Sequence, residues 1–84
     1  MTRYTVVWVE SALDELADLW LAAPDREAIT AAADAIDQEL AVDAPSKGIE
    51  LSEGLRALFS PPLRILFTVR EVDRIAEVLR VKRL

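Results

Sequence analysis

Leu63-Arg64-Ile65-Leu66-Phe67-Thr68-Val69-Arg70 alternates with a period of two. Successive side chains of an extended chain point to opposite sides. The stretch therefore predicts a strand with Leu63, Ile65, Phe67 and Val69 on a dry face and Arg64, Leu66, Thr68 and Arg70 on the other. Turns and further strands flank it. Upstream, Ser60-Pro61-Pro62 follows a segment in which Leu55, Ala57 and Phe59 alternate with Arg56 and Leu58. Downstream, residues 71–74 form a turn before a last strand, about Ile75–Lys82. Such short connections make the three strands an antiparallel meander. In the last strand the phase that points Leu79 and Val81 inward also points Glu77 inward, a conflict that a bulge or an edge position resolves.

The amino-terminal half reads differently. Residues 3–9 are β-branched and aromatic, which predicts a first strand with Tyr4, Val6 and Trp8 on one face. Ser11 is then placed as a helix N-cap, with Asp14 completing an S-x-x-D pattern. Leu13, Leu16, Ala17 and Trp20 follow at helical spacing as an apolar stripe, so both tryptophans are expected in the core. Pro24 separates this helix from a second, about Asp25–Ala41, whose inner face is Ile29, Ala32, Ala33, Ile36 and Leu40. Asp43-Ala44-Pro45-Ser46-Lys47-Gly48 stops it. The order is strand–helix–helix–strand–strand–strand: an α+β domain over residues 1–84, its mainly antiparallel sheet packed on a helical hairpin.

Charge divides along the same line. Residues 1–43 hold two basic and ten acidic residues, a net charge of −8; residues 44–84 hold eight basic and five acidic, a net charge of +3. A patch's own field, rather than the net −5, governs what docks there. By alternation the sheet face away from the helices is expected to carry Arg56, Arg64 and Arg70 with Leu58 and Leu66. Arg80 and Lys82 join them from the last strand, with Lys47 over one end and Arg83 at the terminus. Guanidinium groups match phosphate geometry and serve equally for acidic side chains. A plain wet face carries charges too, but apolar residues among arginines favour a contact surface.

Other chemistry is poorly supplied. The chain has no cysteine and no histidine, which removes disulfides, thiolate nucleophiles, the commonest general base and the commonest metal ligand. Asp34 and Asp37 are two carboxylates on a wet helix face, so no metal and no cofactor is expected. No apolar run approaches the roughly 20 residues that cross a bilayer, and the start does not resemble a signal peptide. The expectation is a cytoplasmic protein with no membrane partner.

In the order and spacing of several short motifs the chain resembles the RelE/ParE superfamily, toxins of type II toxin–antitoxin modules. The matching features are Tyr4 to Trp8, Ala12 and Leu16, Asp43-Ala44-Pro45, Gly54-Leu55-Arg56, the run Leu63 to Val69, and Arg74 to Lys82. The resemblance implies a two-layer RelE-like fold with the first strand beside the last. It also implies a cognate antitoxin as partner and a homodimer or an antitoxin-bound heterotetramer as assembly. Members similar to RelE cut messenger RNA on the ribosome, and members similar to ParE inhibit DNA gyrase. Carried over, Arg56 and Arg64 fall on catalytic basic positions, with Lys82 or Arg83 at a third. Leu58 stands where a further basic residue is usual. The carboxy-terminal tyrosine or histidine that moves protons in the nucleases is absent, the only tyrosine being Tyr4. General acid–base groups contribute roughly 10²–10⁴-fold, so this absence favours a protein-binding mode over RNA cleavage.

Overall fold

The computed structural model describes residues 2–84. Among them β1 (Thr5–Trp8) leads into α1 (Glu10–Ala22) and α2 (Arg26–Leu40). A short 3₁₀ turn (Ala44–Ser46) precedes β2 (Ile49–Ser52), β3 (Leu55–Ser60), β4 (Leu63–Arg70) and β5 (Ile75–Arg83). The five strands form one sheet in the order β1-β5-β4-β3-β2. β1 runs parallel to β5 and the other pairs are antiparallel. The two helices cover one face, giving the expected two-layer α+β arrangement with the first strand beside the last.

The core lies between these layers. Ile29, Ile36 and Leu40 of α2 meet Leu63, Ile65 and Phe67 of β4 and Val78 of β5, all fully buried. The expected phase of β4 and the expected inner face of α2 are both observed, with Ala33 partly rather than fully buried. Side chains across a two-layer core touch only where both periodicities present apolar residues together, as these do.

Three local expectations are corrected. α1 begins at Glu10 with Val9 as its N-cap, and Ser11 lies inside the helix with no capping bond. The Val9 N–H is already taken by the Val78 carbonyl, so the chain turns directly from strand into helix. The buried line of α1 is Ala12, with Leu16 and Leu19 packed against the core. Leu13 and Trp20, expected in that stripe, are 50% and 39% exposed. Finally, residues 49–52 form a further strand, the edge strand β2, beyond the four in the expected order.

The conflict in β5 is resolved by a bulge. Leu66 pairs with Arg80 and Phe67 with Val78, so Leu79 is the extra residue. Val78 and Val81 consequently both face the helices, while Glu77 pairs with Thr68 on the other side. Beyond Trp8, β1 no longer covers the edge of β5, and α1 takes over. Glu15 accepts the Val81 N–H at 3.0 Å and the Arg80 guanidinium at 2.8 Å. These contacts, the backbone bond foremost, hold its carboxyl below the ordinary glutamate value of 4.5. A carboxylate with a depressed native pKa stabilises the fold above its unfolded value and loses that contribution as pH falls through the native one. Glu15→Gln is therefore expected to flatten the acid limb of the stability curve below about pH 4.5. Urea midpoints across that range check it, and an unchanged slope would place the stabilising contact elsewhere.

Candidate functional site

The register of β3 decides which arginines meet. A two-residue turn, Pro61-Pro62, joins β3 to β4, so Ser60 pairs with Leu63, Leu58 with Ile65 and Arg56 with Phe67. Paired residues of antiparallel strands share a face. Leu58, Ser60 and Arg56 therefore face the helices. Leu58 is buried in the core, and the Ser60 hydroxyl donates to the Ala32 carbonyl of α2 at 3.3 Å. The expectation that Arg56 and Leu58 share the open face with Arg64 is corrected: Arg56 and Arg64 lie on opposite sides of the sheet.

Arg56 closes the end of the core instead. Its Nε donates to the Lys47 carbonyl at 2.7 Å and its Nη2 to the Gly48 carbonyl at 3.2 Å. Lys47 belongs to this loop on the helix side, not over the open face. Arg83 is also on the helix side, opposite Leu63, where it grips Asp25 at the start of α2 with two bonds of 3.0 and 2.8 Å. Hydrogen bonding to Arg83 lowers the Asp25 pKa, and the same bond raises that of Arg83. Lys47, Arg56 and Arg83 thus leave the expected cluster.

Arg64, Arg70, Arg80 and Lys82 remain on the open face. Two of these are engaged within the chain: Arg70 lies 3.5 Å from Glu77, and Arg80 turns around the β5 edge to Glu15. Arg64 and Lys82 are directly opposite one another and make no ion pair among the described residues. Like charges in that relation destabilise a sheet by about 0.2–1 kcal/mol. The Arg64 Nε is, in addition, buried without an acceptor. A buried donor left unpaired costs about 1–3 kcal/mol. An anionic group placed between Arg64 and Lys82 would remove both penalties.

Phe59 completes the site. It pairs with Arg64 on the open face and is 49% exposed. Beside them, Ile49, Ala57 and Leu66 lie in one row across β2, β3 and β4. The centre of the face is thus an aromatic and aliphatic floor with two uncommitted cations. Sequence alternation missed Phe59 because Leu55, Ala57 and Phe59 also make a plausible inner face. The usable signal was the length of the turn, since a two-residue loop fixes Ser60 opposite Leu63.

The one tyrosine does not join this face. Tyr4 packs on the helix side against the core, with the Arg74 guanidinium 6.0 Å from its ring centroid. Asp37 accepts the Trp8 indole N–H at 2.6 Å, so it is a partner of Trp8 rather than half of a cation site. No cluster of three or more potential metal ligands occurs among the described residues.

No family model and no curated protein matches the chain. Solved structures do. A chain of the RelBE2 toxin–antitoxin complex from Mycobacterium tuberculosis superposes with a TM-score of 0.81 at 21% identity, covering 100% of this chain and 94% of that one. The chromosomal ParDE system from P. aeruginosa gives 0.68 at 18% identity, covering 98% and 97%. The archaeal RelE–RelB complex from Pyrococcus horikoshii OT3 gives 0.69 at 13% identity, covering 98% and 96%. The fold is that of the RelE/ParE toxins.

Proposed function

We propose that this chain is the toxin component of a type II toxin–antitoxin pair. In this reading a cognate antitoxin neutralises it, and it acts by binding a protein target such as DNA gyrase. The fold supports the first part, because the similar structures are of toxin–antitoxin complexes. The observation that carries the second is the Phe59–Arg64–Lys82 centre, where a buried guanidinium N–H lacks an acceptor beside an exposed aromatic ring. Aromatic residues and arginine supply much of the energy at protein interfaces, and a partner carboxylate satisfies a guanidinium with two parallel bonds.

A phosphate would fit the same two cations, which is what favours the second reading, a ribosome-dependent mRNA endonuclease. RNA cleavage must also deprotonate a 2′-hydroxyl and protonate a leaving oxygen. Arg64 and Lys82 can stabilise charge, but the sole tyrosine is on the other side of the sheet and histidine is absent. The protein-binding mode needs no such group.

Induction of the chain alone in a growing bacterium separates the readings. The expected result is growth arrest with blocked supercoiling and intact messages, reversed by co-expression of the antitoxin. Codon-phased loss of messages would establish the endonuclease instead. Harmless expression would identify a non-toxic relative.

A further inference from the structure

Arg80 and Lys82 alternate along β5, so they lie about 7 Å apart on one side of the sheet, opposite Leu66 and Arg64. By position Arg80 would be a third cation of the open-face centre. It is drawn away instead. Its Nε donates at 2.8 Å to Oε2 of Glu15, which comes from α1 on the helical side. Oε1 of the same carboxylate accepts the Val81 N–H at 3.0 Å, on the stretch of β5 that β1 leaves uncovered.

The backbone bond makes this pair more than a surface contact. An exposed ion pair is ordinarily worth about 0–1 kcal/mol, in part because both side chains must be ordered to form it. Here the acceptor is ordered already, since the sheet edge holds Glu15 through Val81. Farther along the face Glu77 lies 3.5 Å from Arg70. Of the cations on the open face, Arg64 and Lys82 beside Phe59 are the two that no carboxylate of the described residues engages. Two cations suffice for one carboxylate. They are few for a polynucleotide, whose binding rests on neutralising several phosphates, and the net charge of −5 opposes its approach.

We propose that Glu15 is a specificity-determining residue: by withholding Arg80 it keeps the centre at two cations, which selects a single carboxylate of a protein partner over the phosphate chain of RNA. The inference rests on the protein-binding reading of this face and adds the residue that enforces it. Specificity of this kind comes from weakening the wrong partner as much as from fitting the right one. Loss of the Glu15 charge frees Arg80 to swing back over Leu66. Arg64, Arg80 and Lys82 then form a three-cation track that can follow successive phosphates. Glutamine is the informative substitution, because its amide oxygen still accepts the Val81 N–H while the charge that holds Arg80 is gone.

Binding of a fluorescein-labelled oligouridylate of about 12 nucleotides to the intact protein tests it. At about 50 mM salt Glu15→Gln is expected to bind at least about threefold more tightly than the parent. By about 200 mM it should lose about 2.6-fold more of its affinity than the parent does, the increment of one further phosphate at a slope of about 0.7. Arg80→Ala added to Glu15→Gln should remove the gain. Asp34→Asn makes the same change in net charge at an exposed position of α2, and should not produce it. Circular dichroism verifies that each variant is folded. A second measurement needs no substitution: when a peptide of alternating glutamate and leucine is titrated into the parent, the Nε–H resonance of Arg64 should shift while that of Arg80 stays. The proposal is overturned by an absent gain in Glu15→Gln, an equal gain in Asp34→Asn, a gain that survives Arg80→Ala, or an Arg80 that shifts in step with Arg64. A peptide that leaves Arg64 unmoved overturns the protein-binding reading and this proposal together, whereas the other failures overturn the proposal alone.

Discussion

Gly48→Ala is expected to lower the stability of the protein by about 2–5 kcal/mol, from two additive causes. Gly48 has φ +69, a left-handed conformation that costs an L-residue about 1–2 kcal/mol. A Cβ there would also run into the Ala57 carbonyl oxygen and approach the Phe67 ring at 3.3 Å. Neither neighbour can yield cheaply, because one is backbone of β3 and the other is fully buried in the core. Forced overpacking of this kind adds about 1–3 kcal/mol. In a domain of this size each 1 kcal/mol shifts the melting temperature by about 4–8 °C, so a drop of at least about 8 °C should appear in a thermal melt. Gly54 is the internal control. It has φ +81, but a Cβ would meet nothing within 4 Å, so Gly54→Ala should show only the conformational cost. Equal effects at the two glycines would mean that the loop over Arg56 is not seated as described.

That loop explains why one arginine of the expected site is structural. β4 was legible because its two faces differ in kind: Leu63, Ile65, Phe67 and Val69 against two arginines, a threonine and a single leucine. β3 was not, because both of its frames contain large apolar residues, Leu55 and Phe59 in one and Leu58 in the other. Pairing chose between them, and pairing is set by turn length rather than by composition. β2 escaped detection because all four of its residues are exposed, so a period of two carries no information there. In α1 the stripe of Ala12, Leu16 and Leu19 and the stripe of Leu13, Ala17 and Trp20 both satisfy helical spacing. Sequence does not say which of two adjacent stripes meets the sheet and which stays wet.

The candidate site was legible in part for the same reasons. Arg64 and Lys82 fall on the open face in either frame of β3, because β4 and β5 alone determine their positions. Arg56 and Phe59 exchange places when the frame changes. Arg80 and Arg83 were recognised as basic but not as engaged, since their carboxylate partners, Glu15 and Asp25, are distant in sequence and come near only through the helical layer.

Arg64→Ala is therefore expected to abolish growth arrest while leaving the fold as stable as before, or slightly more so. The substitution removes a buried donor without an acceptor and a like charge opposite Lys82, two unfavourable features of the isolated chain. A residue that destabilises the free protein and is needed for its action is the usual signature of a binding group. Arg56→Ala should behave in the opposite way. It loses two charge-assisted bonds to the Lys47 and Gly48 carbonyls, one of them exposed, for a cost of about 1–2 kcal/mol. Its action should survive wherever it remains folded.

Growth after induction of these two variants, read beside their melting curves, is the most direct test of a sheet whose two faces divide stability from action. The expected result is a cooperative Arg64→Ala protein, at least as stable as the parent, that no longer arrests growth, and a less stable Arg56→Ala protein that still does. A well-folded Arg56→Ala protein that is harmless, together with an Arg64→Ala protein that still arrests growth, would contradict it.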